Sequence, residues 1–192
     1  MNLREIFSAR VYVGVHTYEQ DVMSRMRDVA IETSYALNPL GKPWTRKCKD
    51  SILSTGAYDP LVKDLLRVVS KCYGCAPTSI TAREVIVPNG SFVPFHAEDA
   101  HLSAVYFVDT SATPEPELQD YSGAFVLSHP GGPLGVRALP WEGPRTDLIL
   151  PKTGNLIVFP SYLGHHSFTY NGERPSVEIH FELTVQAMNA SR

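Results

Sequence analysis

The chain has 192 residues, a formal net charge of -3 at pH 7 and a hydrophobic fraction of 43%. That is enough chain for one domain with a real core. The charge balance argues against a general nucleic-acid or anionic-membrane binder, whose phosphate contacts need clustered Lys and Arg.

The local basic run Arg46-Lys47-Cys48-Lys49 is short and reads as a solvated loop. No stretch reaches the roughly 20 apolar residues of a membrane span. No apolar h-region follows the first residues, so the expected location is the cytoplasm. The cysteines are Cys48, Cys72 and Cys75. An odd number without a secretory signal points to reduced thiols rather than a disulfide framework.

In chain order, Phe7 to Val15 alternates around Val11, Val13 and Val15 and predicts a strand. Tyr18 to Leu37 predicts a helix, with Val22, Met26, Val29 and Ile31 near helical spacing and Asn38-Pro39 as its stop. Asp59-Pro60 opens a second helix, Asp as cap and Pro at the first helical position. Leu61, Leu65, Val68, Val69 and Cys72 are its apolar stripe, and Gly74 ends it.

From Arg83 onward the texture is that of short strands: 84–87, 102–108, 124–127, 147–150, 156–159 and 176–185. Turn signals separate them, among them Pro88-Asn89-Gly90 and Tyr170-Asn171-Gly172. Many short strands at this spacing after two helices predict a mainly β protein, a jelly-roll barrel with helices on one outer face. The expected organisation is a single domain over 1–192, with 1–82 as helical support and 83–186 as barrel core. Ser111–Gln119 reads as an exposed loop, and the Pro- and Gly-rich stretch Pro130–Arg145, with Trp141, as a lid over a site. Trp44 lies in a loop of its own.

Three pieces of sequence carry chemistry. His96-Ala97-Glu98 puts an imidazole and a carboxylate two residues apart, on one side of an extended chain. An apolar strand then ends at Pro160, with His165 five residues on. Last, Arg174-Pro175-Ser176 opens the final strand, nine residues past His165. Two histidines and one carboxylate on one face leave three metal positions open, as in the facial triad of non-haem iron(II) oxygenases. A bidentate 2-oxoglutarate fills two and leaves one for dioxygen. Its distal carboxylate needs a cation, and Arg offers a matching planar fork. Alternation places Arg174 and Ser176 on one face of the last strand, and Val177, Ile179, Phe181 and Leu183 on the other.

In this order the pieces resemble the iron(II)- and 2-oxoglutarate-dependent dioxygenases, whose pattern is HxD/E, a distal His, then Arg-x-Ser. The chain is most similar to the short bacterial and phage members of that superfamily. Gly90, Ser103-Ala104-Val105-Tyr106-Phe107 and Phe159-Pro160-Ser161-Tyr162-Leu163-Gly164-His165 stand where those members carry their own motifs. The resemblance covers roughly 83–185. It implies a double-stranded β-helix of the cupin-like kind, iron(II) held by His96, Glu98 and His165, and 2-oxoglutarate held by Arg174, Ser176 and Tyr106. Dioxygen is the other cosubstrate. Hydroxylation is the implied outcome, since related halogenases lack the carboxylate ligand. Asp99 adjoins Glu98 and His166 adjoins His165, and each is an alternative ligand.

Other residues read more plainly. His16, His129 and His180 have no partner at ligand spacing and read as structural or exposed; His101 reads as structural. Glu178 and His180 share the face of Arg174 and either line the pocket or meet solvent at the barrel end. A cupin using another chemistry would want a second His where Glu98 stands, and a Gly where Tyr162 stands. A non-catalytic jelly-roll module would bind no iron. The expected substrate is a small molecule, amino-acid-like or a biosynthetic intermediate, with a peptide side chain as the alternative and no nucleic acid or membrane partner.

Overall fold

Alternation along the strands sorts apolar side chains onto two faces of one antiparallel sheet. The computed structural model describes residues 2–6, 9–37, 52–128 and 146–187. In it, β1 (Asn2–Ile6) and β2 (Ala9–Val15) precede α1 (Gln20–Leu37) and α2 (Asp59–Tyr73). Then follow β3 (Cys75–Val87), β4 (Leu102–Asp109), β5 (Phe125–Ser128), β6 (Thr146–Ile149), β7 (Asn155–Pro160), β8 (Gly164–Ser167) and β9 (Ser176–Ala187).

The large sheet has the order β1-β2-β7-β4-β9-β3, and the small one β6-β5-β8. Leu102, Ala104, Tyr106 and Val108 of β4, and Val177, Ile179, Phe181 and Leu183 of β9, share a core with Met26, Ala30, Leu61 and Leu65 of the helices. The alternate residues Val105, Phe107, Ile157 and Phe159 meet Phe125 and Leu127 of the small sheet in a second core. The strands thus have one face toward the helices and one toward the barrel interior.

Several boundaries differ from expectation. β2 begins at Ala9, and β1 precedes it as a hairpin partner. The N-terminal 82 residues therefore contribute strands to the main sheet as well as helices. β3 starts at Cys75, well before Arg83, and pairs with β9 through a register shift between Pro77 and Ser79. Its polar first half hides it from a hydrophobic reading. β8 is Gly-His-His-Ser, too short and too polar to register as a strand. The cap of α2 is Tyr58, without a side-chain cap bond, so Asp59 and Pro60 lie inside the helix. Asp59 still meets the positive end of the helix dipole there. Gly74 ends α2 as expected, at φ 63° with its N–H on Ser70 O. Among the described residues, no helix is long and apolar enough to cross a membrane. Trp44, the basic run 46–49, His129 and the stretch 130–145 with Trp141 lie outside the described residues.

The helix side of β3 buries Glu84, 2% exposed. Burial pushes its carboxyl up to about 7, against a hydrogen bond with Thr33. The folded protein thus holds this proton more tightly than the unfolded chain. Its stability should fall as pH rises from the ordinary carboxylate value of 4.5 through about 7. Glu84→Gln removes that loss. Urea denaturation should show the variant more stable than wild type by roughly 1 to 3 kcal/mol at pH 8, and near-equal at pH 4.5.

Candidate metal centre

The centre is assembled by backbone pairing before any side chain is considered. The loop ahead of β4 runs antiparallel to β8: His96 N–H donates to His165 O at 3.0 Å, and His165 N–H to His96 O at 2.8 Å. Two residues that exchange both bonds project to the same side of a sheet. The two imidazoles therefore meet, with ring centroids 4.1 Å apart. Further bonds from Ser167 N to Val93 O and from Tyr170 N to Ser91 O extend the seam. Gly90, at φ 78°, turns the chain into it.

Each ring is oriented by a carbonyl two residues earlier. His96 Nδ1 donates to Pro94 O at 2.8 Å, and His165 Nδ1 to Leu163 O at 3.4 Å. A carbonyl can only accept, so each ring donates from Nδ1. Phe159, edge-on at 5.0 Å, and Phe125, at 5.5 Å, wall the His165 ring. Burial first, then the neighbouring imidazoles, holds His165 down to about 3, so it stays neutral.

β9 brings the third imidazole. His180 pairs in register with Val105 of β4 and Arg83 of β3, and faces the interior at 5% exposure. Ring nitrogens of His96, His165 and His180 all lie within 4.8 Å of one another. Glu178, also buried, bonds His180 Nε2 at 2.9 Å, and Ser176 donates to the Glu178 carboxyl at 3.3 Å. Burial pushes Glu178 up to about 8 and His180 well down.

Glu98 stands beside His96, with Oε1 3.3 Å from Nε2. Its carboxylate is gripped by Arg83, whose other guanidinium nitrogen faces Glu182 at 3.5 Å. Burial works to raise the Glu98 carboxyl, but the His96 ring and the Arg83 guanidinium outweigh it and hold it well below the usual range. Asp99 is exposed. His166 projects to the other face of β8 and packs on Phe95 and Phe168.

The structure thus brings His96 and His165 together, with Glu98 on the rim. It adds Arg83, which sequence reasoning missed, and His180, which that reading left between the pocket and solvent. His180 had a signal in its alternation with Ser176; the pairing of Arg83 with it had none. Two expected cosubstrate residues lie elsewhere. Arg174 precedes β9, is 61% exposed and pairs with Asp109 at 3.2 Å. Tyr106 is a correction: it falls on the helix face of β4, where its hydroxyl donates to His16 O at 2.8 Å. Even-numbered residues of β4 all face that way, so its side chain cannot enter the barrel. His16, structural as expected, bonds Tyr12 and Asp64, and His101 Nδ1 accepts from Val185 N–H at 3.2 Å. We expect Tyr106→Phe to cost about 1 kcal/mol in a thermal melt and to leave iron and 2-oxoglutarate binding at the wild-type level.

A jelly roll with clustered imidazoles at one end of its interior defines a metal-dependent barrel protein. Comparison with solved structures narrows the class. Pseudomonas putida prolyl-4-hydroxylase matches at TM-score 0.59 and 14% identity, over 91% of this chain and 86% of that one. HygX from Streptomyces hygroscopicus, a structure with nickel and 2-oxoglutarate bound, matches at 0.56 and 13%, over 91% and 82%. SnoN, a non-haem α-ketoglutarate-dependent epimerase from nogalamycin biosynthesis, matches at 0.60 and 9%, over 89% and 76%. At such identities the likeness is one of fold, the double-stranded β-helix. No curated protein matches the sequence. The family described as "Putative 2OG-Fe(II) oxygenase" matches residues 84–182, more than half the chain, and the chain belongs to it.

Iron(II), 2-oxoglutarate and dioxygen come with that family. Convergent imidazoles suit a divalent transition metal, so the donor set fits iron.

Proposed function

We propose that the chain is a hydroxylase that uses iron(II) and 2-oxoglutarate to oxidise an unactivated C–H bond of a small molecule, amino-acid-like or a biosynthetic intermediate. The convergence of His96 and His165 across a doubly bonded backbone bridge, inside this family's barrel, is the observation that carries it. When bound, the metal and cosubstrate supply the activation of dioxygen. His96 and His165 would hold the metal through Nε2, and Glu98 is the carboxylate the motif offers beside them. Phe125 and Phe159 keep water from the His165 side.

Ser176 and Arg174 are our choice for the distal carboxylate of 2-oxoglutarate. Ser176 faces the barrel, and among the described residues the Arg174 side chain is restrained by an exposed ion pair with Asp109. Such pairs are worth about 1 kcal/mol or less. The net charge of -3 supports a small-molecule substrate over nucleic acid. The buried thiols of Cys72 and Cys75 support the cytoplasm as its location.

Iron(II) and 2-oxoglutarate added without oxygen should give a weak visible charge-transfer band, and admitting oxygen with substrate should release succinate. Iron binding without the band would move the protein to a cupin chemistry free of 2-oxoglutarate.

A further inference from the structure

We propose that Arg83 and Glu182 are the substrate-recognition pair of this centre, and that the substrate is a free amino acid whose carboxylate meets Arg83 and whose ammonium meets Glu182. This rests on the hydroxylase reading above and names the substrate class within it.

Register places the two side chains. Arg83 of β3 stands opposite His180 of β9, and Glu182 is two residues further along, opposite Thr81 and Ser103. Successive residues of a strand alternate between faces. Phe181 and Leu183 pack toward the helices, so Arg83, His180 and Glu182 share the inner face.

Among the described residues this is also the open side of the centre. Phe125 and Phe159 wall His165, and the side chains of His180 and Glu178 are only 6% and 5% exposed. Those of His96, Arg83 and Glu182 are 20%, 17% and 16% exposed. A molecule that approaches the metal ligands from solvent therefore meets the guanidinium and the carboxylate of this pair.

The pair is not closed on itself. Nη1 of Arg83 lies 3.5 Å from Glu182 Oε1, well beyond the roughly 2.7–2.9 Å of a charge-assisted hydrogen bond. Holding opposite charges partly out of water without bonding them to each other costs stability. The other end of the guanidinium serves the metal ligands: Nη2 donates to Glu98 and lies 3.3 Å from His96 Nε2. A metal on that nitrogen displaces Arg83 from it and returns a donor to the pocket. An α-amino acid carries its anion and its cation on one carbon, so a single small molecule satisfies both charges of the pair. Its side chain is then the part left to face the metal, which puts the oxidised C–H bond there. A residue inside a peptide chain has neither charge and would leave both members of the pair unmatched.

Equilibrium dialysis of the full-length protein with iron(II) and 2-oxoglutarate, without oxygen, tests this. The probes are the standard amino acids. For the tightest, two analogues follow: the carboxylic acid that lacks the amine, and the amine that lacks the carboxylate. We expect at least one amino acid to bind, and each analogue to bind at least about 10-fold more weakly, because each leaves one charge of the pair unmatched. In Glu182→Gln the amino acid should weaken at least about 10-fold, and its gap to the amine-free acid should close to less than about 3-fold, while the gap to the carboxylate-free amine persists. A merely structural Glu182 would shift all three probes alike. Arg83 also touches Glu98, so its role is read from the carboxylate-free amine in the wild type. No amino acid bound, an analogue held as tightly as its parent, or a Glu182→Gln protein that keeps the full gap would overturn the proposal. The hydroxylase reading would then stand with another substrate, as long as the charge-transfer band forms. No band would overturn both.

Discussion

Replacing His165 with alanine should weaken iron(II) by at least about 100-fold, more than the loss of an outer partner of a ligand costs, and abolish the charge-transfer band. The ring is 1% exposed and has no substitute on its own strand face. His166 next to it points away, toward Phe95 and Phe168, so His166→Ala should keep the band. The backbone bridge to His96 uses main-chain atoms only, and alanine preserves it. An unchanged near-ultraviolet circular dichroism spectrum would show that the fold survives. A His165→Ala protein that still forms the band would remove the centre from this face of β8.

Arg174→Ala should leave iron bound while raising the 2-oxoglutarate requirement about 10- to 100-fold, the scale on which a charge-assisted bidentate pair with a carboxylate acts. Titrating the band with 2-oxoglutarate measures it. The argument is a comparison of partners. Asp109 holds Arg174 at the surface in water, where screening makes the pair weak. A cosubstrate carboxylate inside the barrel is less screened and bonds a planar fork at two points. An unchanged requirement would shift the role to Arg83, a described cation that already reaches the interior, at 17% side-chain exposure.

Much of the fold was legible because it is written in alternation. Val177, Ile179, Phe181 and Leu183 fall on the helix face of β9, as their spacing demands. What failed was local polarity: β8 carries two histidines and no apolar side chain, and the first half of β3 is broken by Pro77, Thr78 and Ser79. Tertiary pairing forms both strands, and pairing partners distant in sequence leave no local trace. The same holds in the site. His96 and His165 were legible from motif order, whereas Arg83 reaches them only through its register opposite His180. Tyr106 was misplaced for a simpler reason. One position in a strand decides which face a side chain takes, and a resemblance of motif does not fix the count through β4. The lid expected of 130–145 lies outside the described residues.

The paired backbone of His96 and His165 also makes the metal a staple. The two residues stand 69 positions apart in sequence, yet their amides are already bonded to each other's carbonyls. A metal seated on both rings would clamp a bridge that otherwise opens by breaking its two hydrogen bonds. Its grip adds to stability by mass action, about 2.7 kcal/mol at a hundredfold excess over the dissociation constant. Protection against hydrogen exchange should rise first at these two amides and leave the β1–β2 hairpin untouched. The corner of the barrel that does the chemistry would then be the corner whose opening depends on the iron supply.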